Sequence, residues 1–236
     1  MNKTIYPIYY INLSKSVERK TFMENQFLRF NINNYKRIEA INGNNIQLSY
    51  RHKFTKPITY NEIGCTLSHF EAIKQAYNDN CEIAIICEDD INFSFLPRWK
   101  ETFKEIVKNA PNNWYIIKLH DNNYINIPTK NVDVNYNLFT TRMTSTGLYM
   151  INRNSMKLLL DRYFINNSYY LRGKFGQADK ILYNPKKGIC AHSYNIPLVY
   201  DNINFKSQIK PSHEKFQLRA VSKIIKFYDN FRKDII

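Results

Sequence analysis

No apolar stretch in this chain approaches the ~20 residues that span a bilayer, and the opening Met1-Asn2-Lys3-Thr4-Ile5-Tyr6-Pro7 lacks the small-residue cleavage pattern of a secretory leader. A protein that stays in the compartment where it is made is expected. Cysteine is scarce: Cys65, Cys81, Cys87 and Cys190 include no C-x-x-C pair, which removes the usual zinc and redox signatures. Cys65 and Cys87 lie in apolar contexts, so buried reduced thiols in the cytoplasm are expected rather than disulfides. Internal repeats, low-complexity tracts and Gly/Ser linkers are also missing, which leaves no convincing domain boundary. Acids are outnumbered, with 20 Asp and Glu against 34 Lys and Arg for a net charge of +14. That excess invites a polyanion or an anionic membrane surface. No basic run alternates with stacking aromatics, however, so no nucleic-acid partner is expected. Part of the lysine excess also goes with the crowding of Asn, Ile, Tyr and Phe that an AT-rich genome favours.

What is present is enough for a full core: 236 residues at 44% hydrophobic composition suit one α/β domain. Ile8–Ile11 reads as a strand, Val17–Phe30 as a helix with Met23, Phe27 and Phe30 at helical spacing, and Tyr35–Ile41 as a second strand closed by Asn42-Gly43. Thr59-x-x-Glu62 is a capping box ahead of the stripe Leu67, Phe70, Ile73, Tyr77. Farther on, Pro97–Val107 reads as helix, Trp114–Leu119 and Gly147–Ile151 as strands, and Ser155–Tyr163 as a helix begun by Asn154. Such alternation predicts a mostly parallel sheet with helices on both faces. Residues 1–215 are expected to form one domain, and 216–236 a basic amphipathic helix with Val221, Ile224, Ile225 and Tyr228 opposite Arg219, Lys223 and Lys226. That helix either docks on the domain or lies on an anionic membrane.

The most informative segment is Ile83-Ala84-Ile85-Ile86-Cys87 followed by Glu88-Asp89-Asp90. A β-branched apolar run reads as a buried strand, and three carboxylates at its carboxyl end read as a hard-cation site on a sheet's binding edge, suited to a phosphorylated ligand. If the strand continued through the acids, Glu88 and Asp90 would share one face. The alternative is a solvated acidic turn.

Taken in order, Tyr10-Ile11-Asn12-Leu13 with Arg19, Ile38-Glu39-Ala40-Ile41-Asn42-Gly43, Glu62-Ile63-Gly64-Cys65-Thr66-Leu67-Ser68-His69, Ile86–Asp90, Trp114–Leu119, Thr146–Ile151 and Ala178-Asp179-Lys180 resemble glycosyltransferase family 25. That family comprises the lipooligosaccharide galactosyltransferases and their collagen-modifying relatives, and the resemblance spans about residues 6–210. It implies a GT-A type (Rossmann-like) fold, a UDP-sugar donor, UDP-galactose in particular, a glycan or glycolipid acceptor, and a divalent cation, usually Mn2+. Asp90 and Glu88 become metal ligands, with Asp89 bridging to the ion through water or to the ribose. Asn12 and Arg19 follow the first strand, where the nucleotide is expected; Arg19 either meets a phosphate, pairs with the acids or is a solvated helix arginine. Ser68 and His69 become donor contacts, though a helix histidine beside a large apolar residue is often structural. Asp179 becomes the base that deprotonates the acceptor hydroxyl in an inverting displacement, its alternative being a helix N-cap. His192 or His213 could supply a third, imidazole ligand. Without a retention tetrapeptide at its end, the chain resembles bacterial surface-glycan or viral members, at work in the cytoplasm or peripherally on the inner membrane. Two other classes compete: a metal-dependent nuclease, for which Ile116 stands where an acid before Lys118 is wanted, and a non-catalytic sugar-nucleotide binder.

Overall fold

Ile8 and Tyr10 of the first strand point to one side of a central sheet and Tyr9 and Ile11 to the other, and all four are buried. The computed structural model describes residues 6–46, 53–138, 144–173, 176–184, 188–206 and 214–232. Its main sheet contains β1 (Ile8–Asn12), β2 (Tyr35–Glu39), β3 (Ile83–Glu88), β4 (Ile116–Lys118), β5 (Tyr136–Leu138), β6 (Leu148–Asn152) and β7 (Ala191–Tyr194). They lie in the order β2-β1-β3-β6-β4-β7-β5. β6 runs antiparallel to both its neighbours and β5 antiparallel to β7, so five of the seven strands share one direction.

The period of two along these strands divides the interior into two cores. On one side, Tyr10, Ile85, Ile117 and Met150 meet α1 (Val17–Arg29), α3 (Phe103–Lys108) and α6 (Glu214–Phe231). On the other, Ile11, Ile86, Tyr149 and Ile151 meet α2 (Tyr60–Asn78), α4 (Arg153–Tyr163) and α5 (Ala178–Leu182). This is the α/β, mostly parallel architecture with helices on both faces that a GT-A type domain requires.

Local chemistry moves several boundaries. The Thr59–Glu62 box forms as expected, Thr59 N donating to Glu62 Oε2 at 2.8 Å and Glu62 N to Thr59 Oγ1 at 3.2 Å. Residues 97–107 do not make one helix: a 3-10 turn at Leu96–Arg98 ends, and a second box, Thr102 with Glu105, starts α3 afresh. The cap of α4 is Asn152, whose side chain accepts from Ser155 N at 2.9 Å, not Asn154. β2 ends at Glu39; Ala40 N still donates to Asn12 O of β1 at 3.0 Å, and Ile41 N, on the outer edge, donates to Ser68 Oγ at 2.8 Å.

Residues 233–236 of the expected carboxyl-terminal helix lie outside the described residues, and α6, Glu214–Phe231, packs against the domain. Val221, Ile224, Phe227 and Tyr228 are buried, with Tyr228 stacked on Phe95 at 4.0 Å. Its apolar stripe is therefore not free for a lipid surface, because the domain core already covers it. Ile225 lies outside the stripe, partly exposed. Among the described residues no helix is long and apolar enough to cross a membrane.

Candidate functional site

A cleft of about 970 Å³ opens at the carboxyl edge of the parallel strands, the ligand edge of open α/β sheets. Ile11, Ala40 and Glu88–Asp90 reach it from the carboxyl ends of β1, β2 and β3 and the residues just beyond them, and Ser145 and Thr146 from the turn entering β6. The amino-terminal half of α2, the start of α5 and the start of α6 close it. A close backbone approach sets the α2 wall: a Cβ on Gly64 would lie 2.6 Å from Ile41 O, and one on Gly43 2.5 Å from the Tyr60 backbone.

The strand does not continue through the acids. β3 ends at Glu88, and Asp89-Asp90 form a turn before the short strand Ile91–Asn92. Glu88 is thereby separated from the other two. Its Oε1 accepts from Thr146 Oγ1 at 2.7 Å and lies 3.3 Å from His69 Nε2. Burial pushes the Glu88 carboxyl up, but His69 and Thr146 outweigh it and hold the group below its ordinary range. Asp89 and Asp90 instead face Arg19 Nη1, at 2.7 and 2.9 Å. Arg19 is only 7% exposed, donates through Nη2 to Lys206 O at 2.8 Å, and sits over the Phe205 ring. Of the three possibilities for Arg19, pairing with the acids is the one observed; a solvated arginine is ruled out by its burial.

Asn12 is buried outside the cleft lining and positions Asp89, donating from Nδ2 to Asp89 Oδ2 at 2.7 Å while its Oδ1 accepts from Arg37 Nε at 2.9 Å. Ser68 lines the cleft, but its hydroxyl donates to Gly64 O at 2.6 Å and accepts from Ile41 N, bracing the wall. His69 also lines the cleft, its Nδ1 3.2 Å from Tyr149 Oη. Asp179 lies in the first turn of α5, beside Lys180 at 3.1 Å, with its cap position taken by Gln177; the N-cap alternative therefore fails. It lines the same cleft as the acids.

His192 is not in the cleft. It sits on β7 opposite Ile117 and Leu138, two strands beyond β6, with Nδ1 buried and without a hydrogen-bond partner. His213 lies outside the described residues. Two groups unread in the sequence stand at the site instead, Asp201 and His120. Asp201 is buried, lines the cleft, and has an Oδ2 with no hydrogen-bond partner. Burial first, then Asp90 and Glu88, push its carboxyl well above the ordinary range. Burial likewise raises Asp90 to about 7, with Glu88 and Asp89 adding repulsion that Arg19 only partly offsets. Asp90, Asp201 and Glu88 thus line one cleft as carboxylates that repel one another, and carboxylate oxygens are the ligands a hard divalent cation prefers. An available signal was missed at Asp201, since it ends the apolar run Ile196-Pro197-Leu198-Val199-Tyr200 much as Glu88 ends its own strand.

His120 lies behind the rim, with Nδ1 2.6 Å from Ser145 Oγ and Nε2 3.3 Å from Asp201 Oδ1. Burial, with Lys118 adding, depresses it to about 4. Ser145 adopts φ 80°, a left-handed conformation costly for a residue with a side chain. A Cβ on Gly147 would meet His120 Nδ1 at 2.5 Å, so only glycine admits the imidazole there. Lys118, the lysine of the nuclease reading, is 1% exposed, 3.0 Å from Asp121, and outside the cleft lining.

An open α/β sheet of GT-A type carrying an acidic ligand cleft at its carboxyl edge is the class of protein defined here. The chain belongs to glycosyltransferase family 25, whose model, described as "Glycosyltransferase family 25 (LPS biosynthesis protein)", matches residues 5–193. It is 26% identical to procollagen galactosyltransferase 1-B of Xenopus laevis over 126 residues, covering 48% of this chain and 20% of the relative. A protein of Acanthamoeba polyphaga mimivirus bearing a glycosyltransferase name is 29% identical over 108 residues, covering 43% and 33%. The chain thus spans a third or less of the length of these curated relatives. A solved glycosyltransferase involved in glycosylation of the major capsid of PBCV-1 aligns with 94% of this chain and 100% of its own at 12% identity, with a TM-score of 0.45.

Proposed function

We propose that this chain is an inverting, metal-dependent glycosyltransferase that moves a sugar, galactose in particular, from a UDP-sugar to a lipooligosaccharide or related glycan. The observation that carries this reading is the convergence, in one cleft, of Glu88, Asp90 and Asp201 from the sheet edge with Asp179 from α5. Galactose is supported by the relatives' names, and the glycan class by the family's description.

In this reading Asp90 and Glu88 hold the cation, expected to be Mn2+, with Asp201 in place of a third imidazole ligand. The ion supplies positive charge for the departing diphosphate. Asp89, held by Asn12 and Arg19, would meet the ribose or a water on the ion, while Ser68 and His69 would shape the donor wall. The acceptor oxygen forms a bond to the anomeric carbon as the carbon–phosphate-oxygen bond breaks, and its proton passes to Asp179, a role worth about 10²–10⁴ in rate. Cytoplasmic action, peripheral on the inner membrane, belongs to the same proposal. Lipid contact would then use the basic face and the exposed Phe216 and Leu218, not the buried stripe.

A panel of UDP-sugars incubated with the chain, with and without Mn2+, should release UDP from one donor only when metal is present. Nucleic-acid cleavage without donor turnover would overturn the assignment.

A further inference from the structure

We propose a second cation site in this chain, made by Cys65 Sγ, His69 Nε2 and a Glu88 carboxylate oxygen, for a borderline ion such as Zn2+. It is distinct in donor chemistry from the all-oxygen set around Asp90 and does not depend on the proposed transfer reaction. The three donor atoms lie within 4.8 Å of one another. Cys65 and His69 are i and i+4 on α2, which puts them on one face, and Glu88 ends the strand packed beneath that face.

The spacing suits metal better than the hydrogen bond standing in for it. His69 Nε2 and Glu88 Oε1 are 3.3 Å apart, long for a charge-assisted bond of about 2.7–2.9 Å. Tetrahedral zinc with bonds of about 2.0–2.2 Å to nitrogen and oxygen sets those atoms roughly 3.3–3.5 Å apart. The Cys65 sulfur, no more than 4.8 Å from the other two donor atoms, would complete the site through a zinc–sulfur bond of about 2.3 Å.

An outer shell is already in place. Tyr149 Oη meets the far nitrogen of His69 at 3.2 Å, and Thr146 Oγ1 donates to Glu88 at 2.7 Å, the contacts that fix ring tautomer and carboxylate orientation in metal sites. His69 is 1% exposed, so its ring has little freedom to be lost on binding. All three ligands border the cleft, so the fourth position opens to it, as in zinc sites that keep a place for water or an incoming oxygen donor. A thiolate, an imidazole and a carboxylate together favour zinc over magnesium or manganese, and binding releases the thiol proton to solvent. Glu88 has two oxygens and can serve both ions.

The test uses the full chain, stripped with a chelator, dialysed and titrated with Co2+ alone. A thiolate-to-cobalt charge-transfer band in the near ultraviolet, with strong tetrahedral visible bands, should saturate at one equivalent and collapse when Zn2+ is added. Cys65→Ser should abolish the thiolate band, Tyr149→Phe should weaken affinity by about 10–100-fold, and Asp90→Ala should leave the band intact even while donor turnover is lost. Should Cys65→Ser fail to fold, protection of Cys65 from alkylation by Zn2+ in the unaltered chain, read by peptide mapping, gives the same answer. No thiolate band, a band that survives Cys65→Ser, or no protection by Zn2+ would overturn the site.

Discussion

Arg19 Nη1 lies 2.7 Å from Asp89 Oδ1, and both side chains are more than nine-tenths buried. The arginine is the positive charge that makes two adjacent buried carboxylates tolerable, since its contact with Asp90 comes from the same nitrogen. Removing one partner of a buried pair leaves the other uncompensated, at a cost of about 3–5 kcal/mol. Arg19→Met should therefore lower the urea midpoint strongly, and Mn2+ should restore part of the loss by binding the freed acids. A variant as stable as the parent would mean the pair is not formed in solution.

Asp90→Ala is expected to abolish Mn2+-dependent UDP binding and UDP release while keeping the far-ultraviolet circular dichroism of the parent. The residue serves the cleft, and its removal eliminates a carboxylate that burial has pushed to about 7. Undiminished turnover would remove Asp90 from the cation set.

Asp179→Asn should retain donor affinity and lose about 10²–10⁴ in kcat, because an amide cannot take the acceptor's proton. Single-turnover kinetics alongside equilibrium UDP-sugar binding separates the two effects. Collapse of donor affinity with turnover preserved would make Asp179 a binding residue.

His120 predicts a pH dependence of stability. Its pKa falls from about 6.5 in the unfolded chain to about 4 in the fold, chiefly through burial. The folded state thus binds fewer protons in that window, and the stabilisation, fully present above about 6.5, is lost as pH falls toward about 4. Asp90 works in the opposite sense over about 4 to 7, so the comparison must be between the parent and His120→Asn. Urea midpoints at several pH values should show a smaller acid loss in His120→Asn; parallel curves would contradict a neutral buried imidazole.

A chain ending at Lys215 should fail to fold rather than merely lose contact with membranes. It would delete Val221, Ile224, Phe227 and Tyr228 from the core, each worth about 1.5–3 kcal/mol, against a whole-domain stability of about 5–15 kcal/mol. Equal thermal stability of the two chains would show α6 to be dispensable.

The strand-and-helix alternation, the Thr59 box and the acids ending β3 were legible from the sequence alone, because period, capping and burial of β-branched runs are local properties. The family motifs likewise pointed to the cleft's walls. What tertiary structure decided was where each side chain points. A turn at Asp89-Asp90, not a continued strand, gives Glu88 to His69 and the other two acids to Arg19. Asp201 comes to the same acids from more than a hundred residues away, while His192, an equally good ligand on paper, is carried by β7 away from the cleft. Asn12 and Ser68 belong to the site as its braces, since their hydrogen-bonding groups are spent on Asp89 and Ile41. The physical reason is the same in each case: sequence spacing sets which face of an element a residue occupies, but strand order and packing set which distant groups that face meets.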